Sequence, residues 1–228
     1  MKKITLLVAF LLSFVGYSQL SESFEGGTFP PTGWQVYNNG VGSPTLNWST
    51  FTIPATYPVC NITTVTSVAA YMNRETLPAG SIAEDWLVSK QVDLTGISFA
   101  QLRFWNKMTV AGVNGTNYKI YIKSTPGAPT SIADFGSVPF AQWSEDDFYD
   151  GVLDSNPGIT PFNSCFEKIV NLDAFANMQI YIAFVMECPG GSSNRDRWIL
   201  DDIKVEETCF DPTGLAVPQP ETTLTTAT

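Results

Sequence analysis

Short runs of alternating apolar and polar residues, broken every few positions by Gly, Pro, Asn or Ser, dominate this chain, and helical periodicity is nearly absent. A period of two sends successive side chains to opposite faces of a strand, so each run marks a strand with one face to bury. The clearest is Met178 to Glu187: Met178, Ile180, Ile182, Phe184 and Met186 share one face, while Gln179, Tyr181 and Glu187 take the other. Tyr118 to Lys123 alternates too, with Tyr118, Ile120 and Ile122 predicted inside, Lys119 and Lys123 outside, and a turn at Ser124-Thr125-Pro126-Gly127. Leu102 to Met108 is apolar on both faces, which predicts a central strand; Trp86 to Ser89 and Phe166 to Leu172 complete the set. About eight to ten strands without long helices predict an all-β chain folded as a two-sheet sandwich.

One strand near the chain's end carries a charge in an unexpected place. In Trp198 to Val205, alternation puts Asp201 on the same face as Ile199, Ile203 and Val205, which should meet the core. A carboxylate there is costly unless paired, hydrogen-bonded or bound to a cation. With 12 Lys+Arg against 22 Asp+Glu, cationic side chains are scarce, so a bound cation is the expected partner. Calcium takes oxygen ligands at a flexible site. Glu25 on the first strand and Asp201 on the last are its candidate ligands, with Asp202 a weaker third. The competing reading leaves Asp202 solvated and Asp201 hydrogen-bonded to backbone amides.

The chain opens with Met1-Lys2-Lys3, the apolar run Ile4 to Val15, and Gly16-Tyr17-Ser18-Gln19. A basic start, a short apolar run and small residues predict a signal peptide over residues 1–18, too short to be retained as a membrane span. The product is expected to be secreted or displayed at the cell surface, without membrane insertion. Losing Lys2 and Lys3 takes the net charge from −10 to −12, which repels nucleic acid and anionic membrane surfaces. Cys60, Cys165, Cys188 and Cys209 show no CxxC spacing and the chain has no histidine, so disulfides are expected rather than a metal site, with the pairing open.

Catalysis finds little support. Without histidine there is no Ser-His-Asp or Cys-His arrangement and none of the usual zinc ligand sets. Among 22 acidic residues some pair at glycosidase spacing is inevitable and means little. No Gly-rich phosphate loop is present, and the chain is read as a non-enzyme. Two long connections, Pro54 to Thr66 and Ser144 to Asn163, are the expected places for function. The second holds Glu145, Asp146, Asp147, Asp150 and Asp154 without EF-hand spacing, which predicts a solvated loop. Sugars stack on exposed indoles, but Trp86, Trp105 and Trp198 sit in strands and are expected in the core. Trp143, beside the acidic loop, is the indole expected at the surface, with Trp48 second. Trp143, Phe148 and Tyr149 are therefore the predicted contacts to an extracellular glycan or protein.

Three segments in order carry a family resemblance: Ser23-Phe24-Glu25-Gly26-Gly27 with Phe29-Pro30-Pro31-Thr32-Gly33-Trp34; Glu84-Asp85-Trp86-Leu87-Val88-Ser89 leading to Leu102-Arg103-Phe104-Trp105; and Tyr181-Ile182-Ala183-Phe184 with Leu200-Asp201-Asp202-Ile203. Their order and spacing, from Leu20 to Glu207, resemble the choice-of-anchor J or cleaved adhesin domain of exported proteins in Bacteroidetes-type bacteria. MAM domains of animal cell-surface proteins are more distantly similar. The resemblance implies a jelly-roll sandwich of the galactose-binding or MAM-like kind over residues 19–209, structural calcium, and a role in adhesion or ligand binding. The alternative it implies is a non-catalytic accessory domain of a secreted hydrolase such as a protease. The cysteines and the two long connections depart from the family pattern. After Cys209, residues 210–228 resemble the opening of a fibronectin type III domain, against the simpler reading of a disordered tail, and make this the expected front of a larger exported protein.

Overall fold

Alternation becomes strand wherever a sheet face has something to cover it. The computed structural model describes residues 18–52, 68–109, 114–148, 165–191 and 196–208. Outside them lie most of the predicted signal peptide, the 54–66 connection, Tyr149 and the rest of the acidic connection to Asn163, Cys60, Cys209 and the fibronectin-like tail. The described strands are β1 (Leu20–Glu22), β2 (Gln35–Asn38), β3 (Ser49–Thr52), β4 (Val68–Met72), β5 (Ile82–Val88), β6 (Val92–Asp93), β7 (Ala100–Met108), β8 (Asn117–Lys123), β9 (Ala141–Ser144), β10 (Phe166–Asn171), β11 (Gln179–Pro189) and β12 (Trp198–Glu207). A short α-helix, α1 (Glu145–Phe148), follows β9. Among the described residues no helix is long and apolar enough to cross a membrane.

The strands form two antiparallel sheets packed as a jelly-roll sandwich. The first runs β10-β7-β12-β4-β3 with β1 also on β12; the second runs β2-β5-β11-β8-β9 with β6 on β11. β7 lies between β10 and β12, the central position its two apolar faces predict. Yet Trp105 points to the outer side and is only half-buried, so it is not the core residue expected.

Between the sheets the core is built around Trp198. Its ring lies 5.5 Å from Trp48, 5.1 Å from Tyr118, 5.7 Å from Phe148 and 6.3 Å from Phe184. The inward face of β11 is the one alternation predicts, from Ile180 through Ile182, Phe184 and Met186 to Cys188. Met178 precedes the strand and is 42% exposed, so it leaves that face. Cys188 is buried in this core. The turn before β2 needs Gly33, whose φ of 82° lets the Trp34 amide donate to Pro31 O at 2.9 Å and drops the indole against Phe184.

The outer face of the second sheet corrects one expectation. Lys119 and Lys123 are buried, not exposed. Lys119 pairs with Glu84 and Glu187, which the β5-β11-β8 register brings beside it. The Lys123 ammonium donates to Thr125 O at 2.7 Å and Gly127 O at 2.6 Å, so the predicted turn folds back over its own lysine. Nearby, Trp86, Tyr121 and Phe135 form a second apolar cluster on this face.

Candidate functional site

β12 changes partner halfway along one edge. Trp198 to Leu200 pair with β4, and Ile203 to Val205 pair with β1. At the switch the pairing of β12 with β7 slips between Asp201 and Lys204: Asp201 faces Trp105 and Lys204 faces Arg103, leaving two residues opposite Phe104. This is a β-bulge. Asp202 occupies the left-handed region with φ 45°, and Asp201 Oδ1 accepts the Asp202 amide at 2.8 Å. The bulge reverses the alternation. Trp198, Leu200, Ile203 and Val205 all enter the core, while Ile199 and Asp201 share the outer face. The single inward face expected for Ile199, Asp201, Ile203 and Val205 is therefore wrong, because the extra residue resets the period. Asp201 is nevertheless wholly buried.

Asp tolerates the left-handed region better than branched residues do. In calcium-free buffer, Asp202→Gly should unfold in urea close to the parent, while Asp202→Val should lose about 1–3 kcal/mol. Equal losses in both would remove the bulge as the reason for the paired aspartates.

Glu25 follows β1 at the same seam. It is exposed, and its Oε1 accepts the Val68 amide at 2.8 Å, tying the end of β1 to the start of β4. Burial raises the Asp202 carboxyl above its usual value; Lys204 opposes the shift and the Glu25 charge adds to it. The first and last strands are thus neighbours, and Glu25 lies within electrostatic reach of Asp202. Among the described residues no group of three or more Asp, Glu, Cys or His side chains is arranged to hold a metal ion.

The predicted recognition edge lies at β9 and α1. Ser144 caps the helix: its hydroxyl accepts the Asp147 amide at 3.3 Å and donates to Asp147 Oδ2 at 2.7 Å. Glu145 is buried rather than solvated, its Oε1 accepting the Thr116 amide at 3.0 Å and its Oε2 the Asn114 amide. Phe148 is also no surface residue. It is wholly buried, stacked on Tyr118 at 4.5 Å, because the helix turns it inward. Trp143 is half-buried, with the Lys168 ammonium 5.3 Å from its ring centre and donating to Phe148 O at 2.8 Å. Trp48 is buried, its Nε1 donating to Asp85 O at 3.0 Å. Of the predicted contacts, Trp143 alone keeps part of a ring at the described surface.

Sequence reasoning missed Asp85. It points inward between Ala83 and Leu87, opposite Met186, and is 2% exposed. Burial, and secondarily the charge of nearby Glu75, raise its carboxyl to about 7. Glu75 is itself buried and its Oε2 accepts the Ser43 amide at 2.9 Å, so close to Gly42 that a Cβ there would sit 1.9 Å away. The signal was available: alternation in β5 places Asp85 with Ala83 and Leu87.

No protein-family model matches the chain, and no curated protein matches it by sequence. Solved structures do. The K1 cleaved adhesin domain of Lys-gingipain from Porphyromonas gingivalis W83 matches with a TM-score of 0.56 at 18% identity, over 85% of this chain and 100% of that one. The K3 domain from the same source matches at 0.51 and 18%, over 85% and 99%. The K2 domain of Lys-gingipain matches at 0.51 and 21%, over 82% and 96%. At such identities the likeness is one of fold, and the chain has the jelly roll of cleaved adhesin domains.

Proposed function

We propose that this chain is a non-catalytic recognition module of an exported protein, which adheres to an extracellular glycan or protein and is stabilised by calcium. The observation that supports this is the sandwich shared with three adhesin domains along nearly their whole lengths. The full chain should bind saturably to at least one class of extracellular glycan or matrix protein. Blank results against panels of both would leave a structural spacer. Export belongs to the same reading, and the secreted product should begin at Gln19.

Calcium is proposed at the seam of β1, β4 and β12. Glu25, Asp201 and Asp202 are the carboxylates proposed to hold it, and backbone carbonyls and water would complete the six to eight oxygens the ion takes. The raised Asp202 carboxyl and the nearby Glu25 charge are the kind of repulsion a divalent cation relieves. Calcium added to chelated protein should raise the melting temperature, because a ligand at 100 times its dissociation constant contributes about 2.7 kcal/mol. Glu25→Gln should abolish most of that rise. No shift at millimolar calcium would remove the site.

A further inference from the structure

The outer face of the first sheet holds a pocket of about 250 Å³, lined by Phe51, Tyr71, Thr109, Arg197 and Ile199. Phe51 and Tyr71 form one wall, their ring centres 5.1 Å apart and their planes inclined by 30°. Ile199, 2% exposed, lies against them. Among the described residues Arg197 brings the only formal charge to this lining. Its Nε donates to Asn73 Oδ1 at 3.0 Å and its Nη1 to Thr109 Oγ1 at 3.4 Å. Behind it, Asp196 Oδ1 accepts the Thr109 amide at 2.8 Å and the Arg197 amide at 2.6 Å, fixing both backbones at the pocket rim.

The contrast with Arg103 is informative. Arg103 has its fork filled by Glu167, at 2.8 Å from Nε and 2.7 Å from Nη2. Arg197 makes no ion pair among the described residues, in a chain with 22 acidic residues to 12 basic ones. Two neutral acceptors hold its guanidinium in place, and Nη2 makes no hydrogen bond among the described residues. A planar fork held this way suits a carboxylate, which it can bind with paired hydrogen bonds. The flat aromatic wall beside it suits the apolar face of a sugar ring. The volume is below the ~300–1,000 Å³ of drug-sized sites, so it takes a terminal group rather than a chain segment. The net charge of −12 left after the loss of Lys2 and Lys3 repels polyanions at longer range, which favours a ligand with a single acidic group.

We infer that this pocket binds a terminal sugar bearing one carboxylate, through Arg197 and the Phe51–Tyr71 wall. The inference rests on the recognition reading above and names its site and ligand class. The test uses the full chain against matched glycans with and without a terminal sialic or uronic acid. The acidic form should bind at least tenfold more tightly. Arg197→Gln should erase that preference and Arg197→Lys restore only part of it, while Phe51→Ala should weaken both forms. On the unmodified chain, free glucuronate or sialic acid should shift the Arg197 Nε NMR signal saturably, which covers the case of a variant that fails to fold. Equal affinity for acidic and neutral glycans, with Arg197→Gln silent, would overturn the inference and leave the recognition function standing. Arg197-dependent capture of a peptide C-terminus without any glycan binding would overturn the sugar assignment. Failure to bind any glycan, peptide or protein would overturn both readings.

Discussion

Replacing Trp198 with alanine should cost about 3–5 kcal/mol of folding free energy, the range for deleting a large buried aromatic side chain. Trp198 has no exposed surface and touches rings from both sheets: Phe104 and its own β12 on one side, Tyr118 and Phe184 on the other, with Phe148 and Trp48 closing the ends. Neighbours held by two sheets relax poorly into the cavity. Against a typical total of about 5–15 kcal/mol, such a loss takes the domain close to unfolding at ambient temperature. Trp198→Phe should cost markedly less. It keeps a ring in place, and the indole Nε1 makes no hydrogen bond among the described residues that phenylalanine would break. Urea unfolding of the two variants checks this; a loss below about 1 kcal/mol for Trp198→Ala would show that the aromatic hub does not hold the sheets together.

The strands were legible because burial imposes a period on them. β11 shows it best: Ile180, Ile182, Phe184 and Met186 read as one face and are one face. What alternation cannot see is a residue inserted out of phase, or a lid on the outer face of a sheet. The bulge at Asp201 and Asp202 belongs to the first kind. Two adjacent aspartates near a strand centre were the only sign of it, and a strict period of two misassigned Asp201. Lys119 belongs to the second kind. Its partners Glu84 and Glu187 are 35 and 68 residues away, and only the sheet order reveals them. The recognition edge misled for a similar reason: Phe148 stands in a polar stretch, yet a single turn of helix capped by Ser144 drives it into the core. The physical rule used for Asp201, that an acid on a core face needs a reason, was sound. Applied to β5 it selects Asp85.

That aspartate should give the domain a measurable pH dependence. The Asp85 carboxyl is raised from 3.8 to about 7, first by burial and then by Glu75. Between those values the folded chain holds a proton that the unfolded chain has released, so stability falls as pH rises. The contribution is fully present below about 4, is lost progressively up to about 7, and changes no further above that. Each pH unit between the two values is worth about 1.4 kcal/mol, so the full loss is on the order of 4 kcal/mol. Asp93 and Asp134 act in the opposite sense, since hydrogen bonds from Thr95 and from Thr130 and Ser131 hold their carboxyls below the usual value. The informative quantity is therefore the difference between parent and Asp85→Asn, measured in chelated buffer from pH 4 to pH 8. Asparagine keeps the shape and cannot ionise, so the variant should match the parent near pH 4 and exceed it by up to about 4 kcal/mol at pH 8. Glu75→Gln should lower the midpoint of that difference without removing it, because burial is the larger cause. A difference that stays flat across the range would show that Asp85 is ionised in the folded chain at no cost, and a partner for its charge would then have to exist at the β5 face.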